Sequence, residues 1–151
     1  MGDLALAWTD SGADLVFEGG DLATDDSLLT ATIISLMSDR RARADDQLPE
    51  GGRDRRGFWG DAWAVVPGDQ LGSRLWLLGR EKELPETVRR AREYAEEGLA
   101  WMIKDGIATA VDVVASVPRT GVLLLEVAIS RSAGGREQFQ FEVLWEALNG
   151  L

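Results

Sequence analysis

The apolar positions of this chain change period along its length. In Leu4, Ala5, Leu6, Ala7 and Trp8 the larger side chains alternate with alanine, the turn formers TDSGAD interrupt, and Leu15, Val16 and Phe17 resume. That pattern predicts a β-hairpin, ended by Gly19 and Gly20. Leu29, Ile33, Leu36 and Met37 then share one helical face, which predicts a helix over about 27–37. Thr24, Asp25 or Asp26 supplies its N-cap, and acids at a helix start also suit the macrodipole. From 39 to about 72 no period is sustained, and Pro49, Gly51, Gly52, Gly57, Gly60, Pro67 and Gly68 punctuate an irregular connecting segment.

After Gly72 and Ser73, the run Arg74, Leu75, Trp76, Leu77, Leu78 predicts one or two helical turns. Pro85 suits the first turn of a longer helix, in which Val88, Ala91, Ala95, Leu99 and Met102 recur at helical spacing up to a stop at Gly106. Tyr94 and Trp101 share a second strip, while Arg89, Arg90, Arg92, Glu93, Glu96 and Glu97 read as the solvated side. A valine-rich strand over 110–117, a turn over 118–121, and a strand over 122–131 with Leu123, Leu125, Val127 and Ile129 on one face follow. After SAGGRE, Phe139, Phe141, Val143 and Trp145 line one face of a strand over 138–145. The expected fold is α+β: an N-terminal β-hairpin, two main helices and a C-terminal antiparallel three-stranded sheet packed on the long helix. A chain of 151 residues suits one domain spanning 1–151.

The sequence contains neither cysteine nor histidine. Thiolate nucleophiles, disulfides, Ser-His-Asp relays and ordinary zinc sites are thereby removed. Carboxylate chemistry remains, either paired acids for glycoside hydrolysis or aspartates around a hard cation. Asp45 with Asp46, or Asp39 with Asp54, are the pairs a cell-wall glycosidase would use, but adjacent aspartates in a polar loop lack the burial that raises a carboxyl pKa. No apolar run approaches the roughly twenty residues that span a bilayer. The N-terminus has no positive segment before its apolar stretch, which argues against a cleaved secretory signal and for assembly in a cytoplasm.

The net charge of -10 is uneven, since Asp3, Asp10, Asp14, Glu18, Asp21, Asp25 and Asp26 all precede the first basic residue, Arg40. Such a surface repels nucleic acid and anionic membrane and steers association with a basic protein, although solubility alone also explains it. The stretch 39–61, DRRARADDQLPEGGRDRRGFWGD, sets six arginines (Arg40, Arg41, Arg43, Arg53, Arg55, Arg56) against six acids (Asp39, Asp45, Asp46, Glu50, Asp54, Asp61). Phosphate binding needs uncompensated positive charge, so this is no nucleic-acid patch. Interleaved signs favour arginine-carboxylate pairs, with a solvated charged loop as the alternative. Arg55 and Arg56 are expected to find carboxylates in Asp54 and Asp61, in the acidic N-terminus, or on a neighbouring protein. Trp59 is expected to be an apolar anchor, with Gly57 and Gly60 letting the backbone pass close to its ring; Phe58, Trp59 and Trp63 read equally as satellite core.

DLATDDSLLTATIISLMSDRRA, DRRGFWGDAW, GSRLWLLGREK and EGLAWMIKDGIA, between the acidic hairpin and the β tail, resemble the Mu-type phage baseplate proteins specified by gene 46. These are similar to the wider group of contractile-tail wedge proteins called sheath initiators. The resemblance spans nearly the whole chain, and DRRGFWGD with GSRLWLL is its most specific part. It implies a small α+β structural subunit, present in several copies around the central spike and tube and joining the wedge to the first sheath ring. The implied partners are other wedge proteins, the sheath and the tube or spike hub, in the virion tail baseplate after assembly in the host cytoplasm. No catalytic residue, cofactor or metal is implied. Arg55, Arg56, Trp59, Asp61, Arg74, Trp76 and Trp101 are the candidate structural and interaction residues. A non-phage acidic binding module is the competing class.

Overall fold

A computed structural model describes residues 3–9, 12–19, 21–22, 24–25 and 27–149. The N-terminal strands are β1 (Asp3–Leu4), β2 (Leu6–Thr9), β3 (Gly12–Leu15), β4 (Phe17–Glu18), β5 (Asp21–Leu22) and β6 (Thr24–Asp25). β2 pairs antiparallel with β3, setting Leu6 opposite Leu15, which is the hairpin expected from the alternation. The chain does not stop pairing at Gly19. It passes there from β4 to its antiparallel partner β5, and β6 returns beside β1.

Strand pairs this short are marginal alone, so their support is tertiary. The Trp8 indole N–H donates to the Glu142 carbonyl at 2.9 Å and its ring meets Phe141 edge-on at 6.3 Å. The Thr30 hydroxyl donates to the Leu4 carbonyl at 3.0 Å and accepts the Leu6 amide at 3.2 Å.

α1 (Leu29–Met37) buries Ile33 and Leu36. Of its expected caps, Asp26 and the side chains of Thr24 and Asp25 lie outside the described residues. Leu28 occupies the N-cap position without a side-chain bond, and the Ser27 hydroxyl accepts the Leu29 amide at 3.1 Å. The connecting segment is irregular apart from 3-10 turns at Pro49–Gly51 and Trp59–Trp63. Another 3-10 turn, Arg74–Leu78, is buried along its whole length.

α2 (Pro85–Lys104) buries Ala91, Ala95, Leu99 and Met102 of the stripe read from the sequence, and Val88 is partly buried against the same core. The Tyr94 and Trp101 strip is also used: Tyr94 is buried, and the Trp101 indole N–H donates to the Ser35 hydroxyl at 2.8 Å, joining α2 to α1. Gly98 allows this close approach, because a Cβ there would come within 3.1 Å of the Ser35 carbonyl and 3.0 Å of the Ser73 Cβ.

β7 (Ala108–Arg119), β8 (Val122–Arg131) and β9 (Arg136–Leu144) form an antiparallel sheet in that order, with α2 packed against β7. Central β8 buries Leu123, Leu125, Val127 and Ile129. β9 buries Phe141 and Val143, and Trp145 follows in a closing 3-10 turn, its indole N–H donating to the Leu78 carbonyl at 2.9 Å. The expected turn at Pro118 is displaced: β7 continues to Arg119 past a register shift between Ser116 and Arg119. An edge strand tolerates proline because its outward amide has no ladder partner to lose.

Candidate functional site: an arginine clasp and its aromatic tip

Arg74 is placed by Ser73. The Ser73 amide donates to the Ser38 carbonyl and its carbonyl accepts the Arg40 amide, each at 2.9 Å, which fastens the 3-10 turn to the end of α1. The Arg74 guanidinium, nearly fully buried, then reaches two carboxylates. Its Nη2 and Nε donate to Glu97 Oε2 at 2.7 and 3.2 Å, and its Nη1 to both Asp46 oxygens at 2.8 and 3.0 Å. It lies 4.3 Å over the Tyr94 ring. Glu97 also accepts from Arg40 at 3.0 Å and pairs with Arg43 at 3.4 Å. Burial pushes the Glu97 carboxyl up, but the arginines, led by Arg74, outweigh it and hold the group below the ordinary glutamate range. Burial likewise opposes the charge of Arg74, and Glu97 and Asp46 more than restore it. Glu97 is therefore not part of the solvated side of α2, where the sequence placed it.

The second half of the clasp is Arg56. Its Nη1 donates to Asp39 Oδ2 at 2.8 Å, and its guanidinium lies 4.4 Å over the Trp76 ring, whose indole N–H donates to the Arg40 carbonyl at 2.8 Å. Burial raises the Asp39 pKa despite Arg56, with Asp54 adding to the rise. The expected partners of Arg56 were other acids. Asp54 instead accepts the Arg56 amide at 2.8 Å, and Asp61 accepts the Leu71 amide at 3.1 Å. Arg55 donates to carbonyls, those of Arg43 and Ala44, rather than to a carboxylate. With the Ala42 amide on the Arg55 carbonyl at 2.8 Å, residues 53–57 are strapped to 40–44, so this part of the loop is not merely solvated charge.

The tip contradicts the satellite-core reading. Trp59 is 76% exposed and Trp63 75%, and Phe58, Val65 and Val66 are exposed beside them. The rings contact one another instead, Phe58 to Trp59 at 5.3 Å and Trp59 to Trp63 at 5.8 Å between centroids. Gly60 packs under the Phe58 ring, not that of Trp59, since a Cβ there would sit 2.2 Å from Phe58 Cε1. Gly57, at φ 109°, lets the backbone leave the clasp against Arg41.

An open groove of about 780 Å³ lies between the tip, α1 and α2, with Ile34, Ser35, Phe58, Leu71, Ala100 and Trp101 among its walls. None of Asp39, Asp45, Asp46 or Asp54 lines it, and both Asp46 oxygens are occupied by Arg74. The acid pairs considered for glycoside hydrolysis thus do not line this groove.

The model of the family described as Phage protein GP46 matches residues 28–136, from α1 into β9. The chain belongs to this family. Clasp, tip and groove all fall inside the matched GP46 region. The chain is 45% identical to "Baseplate protein gp46" of Escherichia phage Mu over 151 residues, all of both chains. It is 42% identical over 145 residues to "Mu-like prophage FluMu protein gp46" of Haemophilus influenzae, covering 96% of this chain and 98% of that one. The N-terminal hairpin, outside the GP46 match, is thus included in the similarity to the Mu protein.

Of the expected site residues, Arg56, Arg74 and Trp76 meet in the clasp, Trp101 and Asp61 line the groove, and Trp59 stands at the tip. Sequence reasoning missed Glu97 and Asp46. The available signal was Gly98, a helix-interior glycine marking a close approach beside Glu97.

Proposed function

We propose that this chain is a structural component of the baseplate of a Mu-like phage tail, without a catalytic role. The aromatic tip carries the reading. Phe58, Trp59 and Trp63 form an exposed cluster of touching rings, with Val65 and Val66 exposed just after them in the chain; exposed apolar groups of this kind mark a protein contact, and tryptophan is enriched at binding hot spots. The clasp behind it holds the tip in one place, which lowers the ordering cost of binding. Within the baseplate the chain acts as a wedge subunit in several copies, linking the central spike and tube region to the first ring of the contractile sheath. Its partners are other wedge proteins, the sheath and the hub. The unpaired outer edge of β7 supports a contact by strand addition, since among the described residues β7 pairs with β8 alone.

The lack of native cysteine permits a direct test. Single Val65→Cys and Val114→Cys variants, one at the tip and one on β7, are built into tails and treated with a thiol-to-amine cross-linker. The expected products join position 65 to wedge or hub proteins and position 114 to sheath. Tails without the chain overturn the baseplate reading, and tails in which position 114 never reaches sheath overturn the linking role.

A further inference from the structure

α1, LTATIISLM, carries no charge on any side. Its hydroxyl residues, Thr30, Thr32 and Ser35, are buried, and a helix without a charged face is expected to be covered on its apolar sides as well. Ile33 and Leu36 meet that requirement, yet Ile34 is 40% exposed and forms a groove wall with Ala31 and Ser35. The facing wall is Glu97, Ala100, Trp101 and Lys104 of α2, residues at helical spacing that span about 10 Å, or two turns. The Trp101 indole N–H is already satisfied by Ser35, so the floor offers an occupant carbon rather than hydrogen-bond donors. Walls from α1 and α2, closed on the other side by the loop that carries Phe58 and Leu71 and without a strand edge, suit a helix lying in a groove.

The charged lining residues decide the sign of that helix. Asp61, Asp69, Glu97 and Asp105 outnumber Arg40 and Lys104, and both bases are engaged within the chain, Arg40 by Glu97 at 3.0 Å and Lys104 by Asp69 at 2.9 Å. A second copy of the chain fits poorly, because its net charge is -10 and the apolar stripe of its own α2 is buried. We propose that the groove seats a basic amphipathic helix of another tail protein, its apolar stripe on Ile34, Ala100 and Trp101 and its lysines or arginines toward Asp61 and Asp105. The identity of the partner as a tail protein rests on the baseplate reading above.

The test places benzoylphenylalanine at Ile34 and, separately, at Ala100, in tails produced by complementing a knockout of the phage gene. After irradiation the cross-linked peptide is sequenced by mass spectrometry. Both positions are expected to capture the same segment of another tail protein, with apolar residues at helical spacing and a net positive charge. Ile34→Asp and Ala100→Glu should each reduce incorporation about tenfold or more while the purified variants melt as the parent does. Capture of a second copy, of an acidic or non-helical segment, or of nothing in tails that contain the chain overturns the groove assignment and leaves the baseplate reading standing. Tails devoid of the chain overturn both.

Discussion

Arg74 Nη2 meets Glu97 Oε2 at 2.7 Å, joining the 3-10 turn Arg74–Leu78 to the middle of α2 through a pair largely withdrawn from water. Breaking such a pair is costly because the remaining charge stays buried without its partner. Arg74→Ala should therefore lose about 3 kcal/mol or more of folding stability in urea titration. Arg74→Lys should lose less but not recover the parent, since an ammonium cannot serve Glu97 and Asp46 as a fork while stacking on Tyr94. Parent-like stability of Arg74→Ala would show the clasp to be dispensable.

The same network sets a pH dependence. Glu97 titrates lower in the folded chain than its ordinary value near 4.5, so the unfolded state binds the extra proton first. The stability it contributes is fully present above that ordinary value and is lost as pH falls through the folded one. Asp39 has the opposite sign: its raised pKa makes its ionisation a cost that is relieved on acidification. Glu97→Gln should flatten the loss of stability on acidification below about pH 5, and Asp39→Asn should steepen it. Thermal melts across that range check both slopes, and equal slopes in all three proteins would contradict the assignment.

Trp59→Ala tests the tip. With the ring mostly in solvent, its removal should alter folding by only about 0.5 kcal/mol, as for ordinary surface substitutions. Incorporation into tails should fall by an amount equivalent to about 2 kcal/mol or more, the scale of an interface hot spot. Normal tail yield by electron microscopy would leave the exposed rings without a role.

The acidic N-terminus is expected to speed encounter with a basic partner. Asp14 and Glu18 are exposed, and changing them with Asp10, which lies outside the described residues, to neutral amides should slow incorporation without lowering the melting temperature. Deletion of residues 1–17 would be a poorer probe, because it removes Trp8 from Phe141 and Leu4 and Leu6 from Thr30. That deletion should destabilise the core as well as stop assembly. An unchanged rate for the triple variant at low salt would argue that the charge serves solubility alone.

Local periodicity was enough for the longer elements, though not for the short strands β4 to β6 or for the end of β7. Alternation in β8 and β9 and the Ala91, Ala95, Leu99, Met102 stripe of α2 name the buried faces, because burial on one side imposes period two on a strand and 3.6 on a helix. The clasp was legible only as a class of interaction. Six arginines and six acids in 39–61 announce pairing, but the choice of partner depends on distances through space. Arg74 finds Asp46 and Glu97 at 28 and 23 residues' separation, and Arg40 reaches Glu97 across 57. No periodicity encodes those separations; they follow from α2 lying beside α1 with Gly98 at the crossing. The aromatic tip was decided by tertiary structure for the same reason. Trp59 and Trp63 are apolar enough for a core, and only the tertiary course of the chain after Gly57 turns them toward solvent.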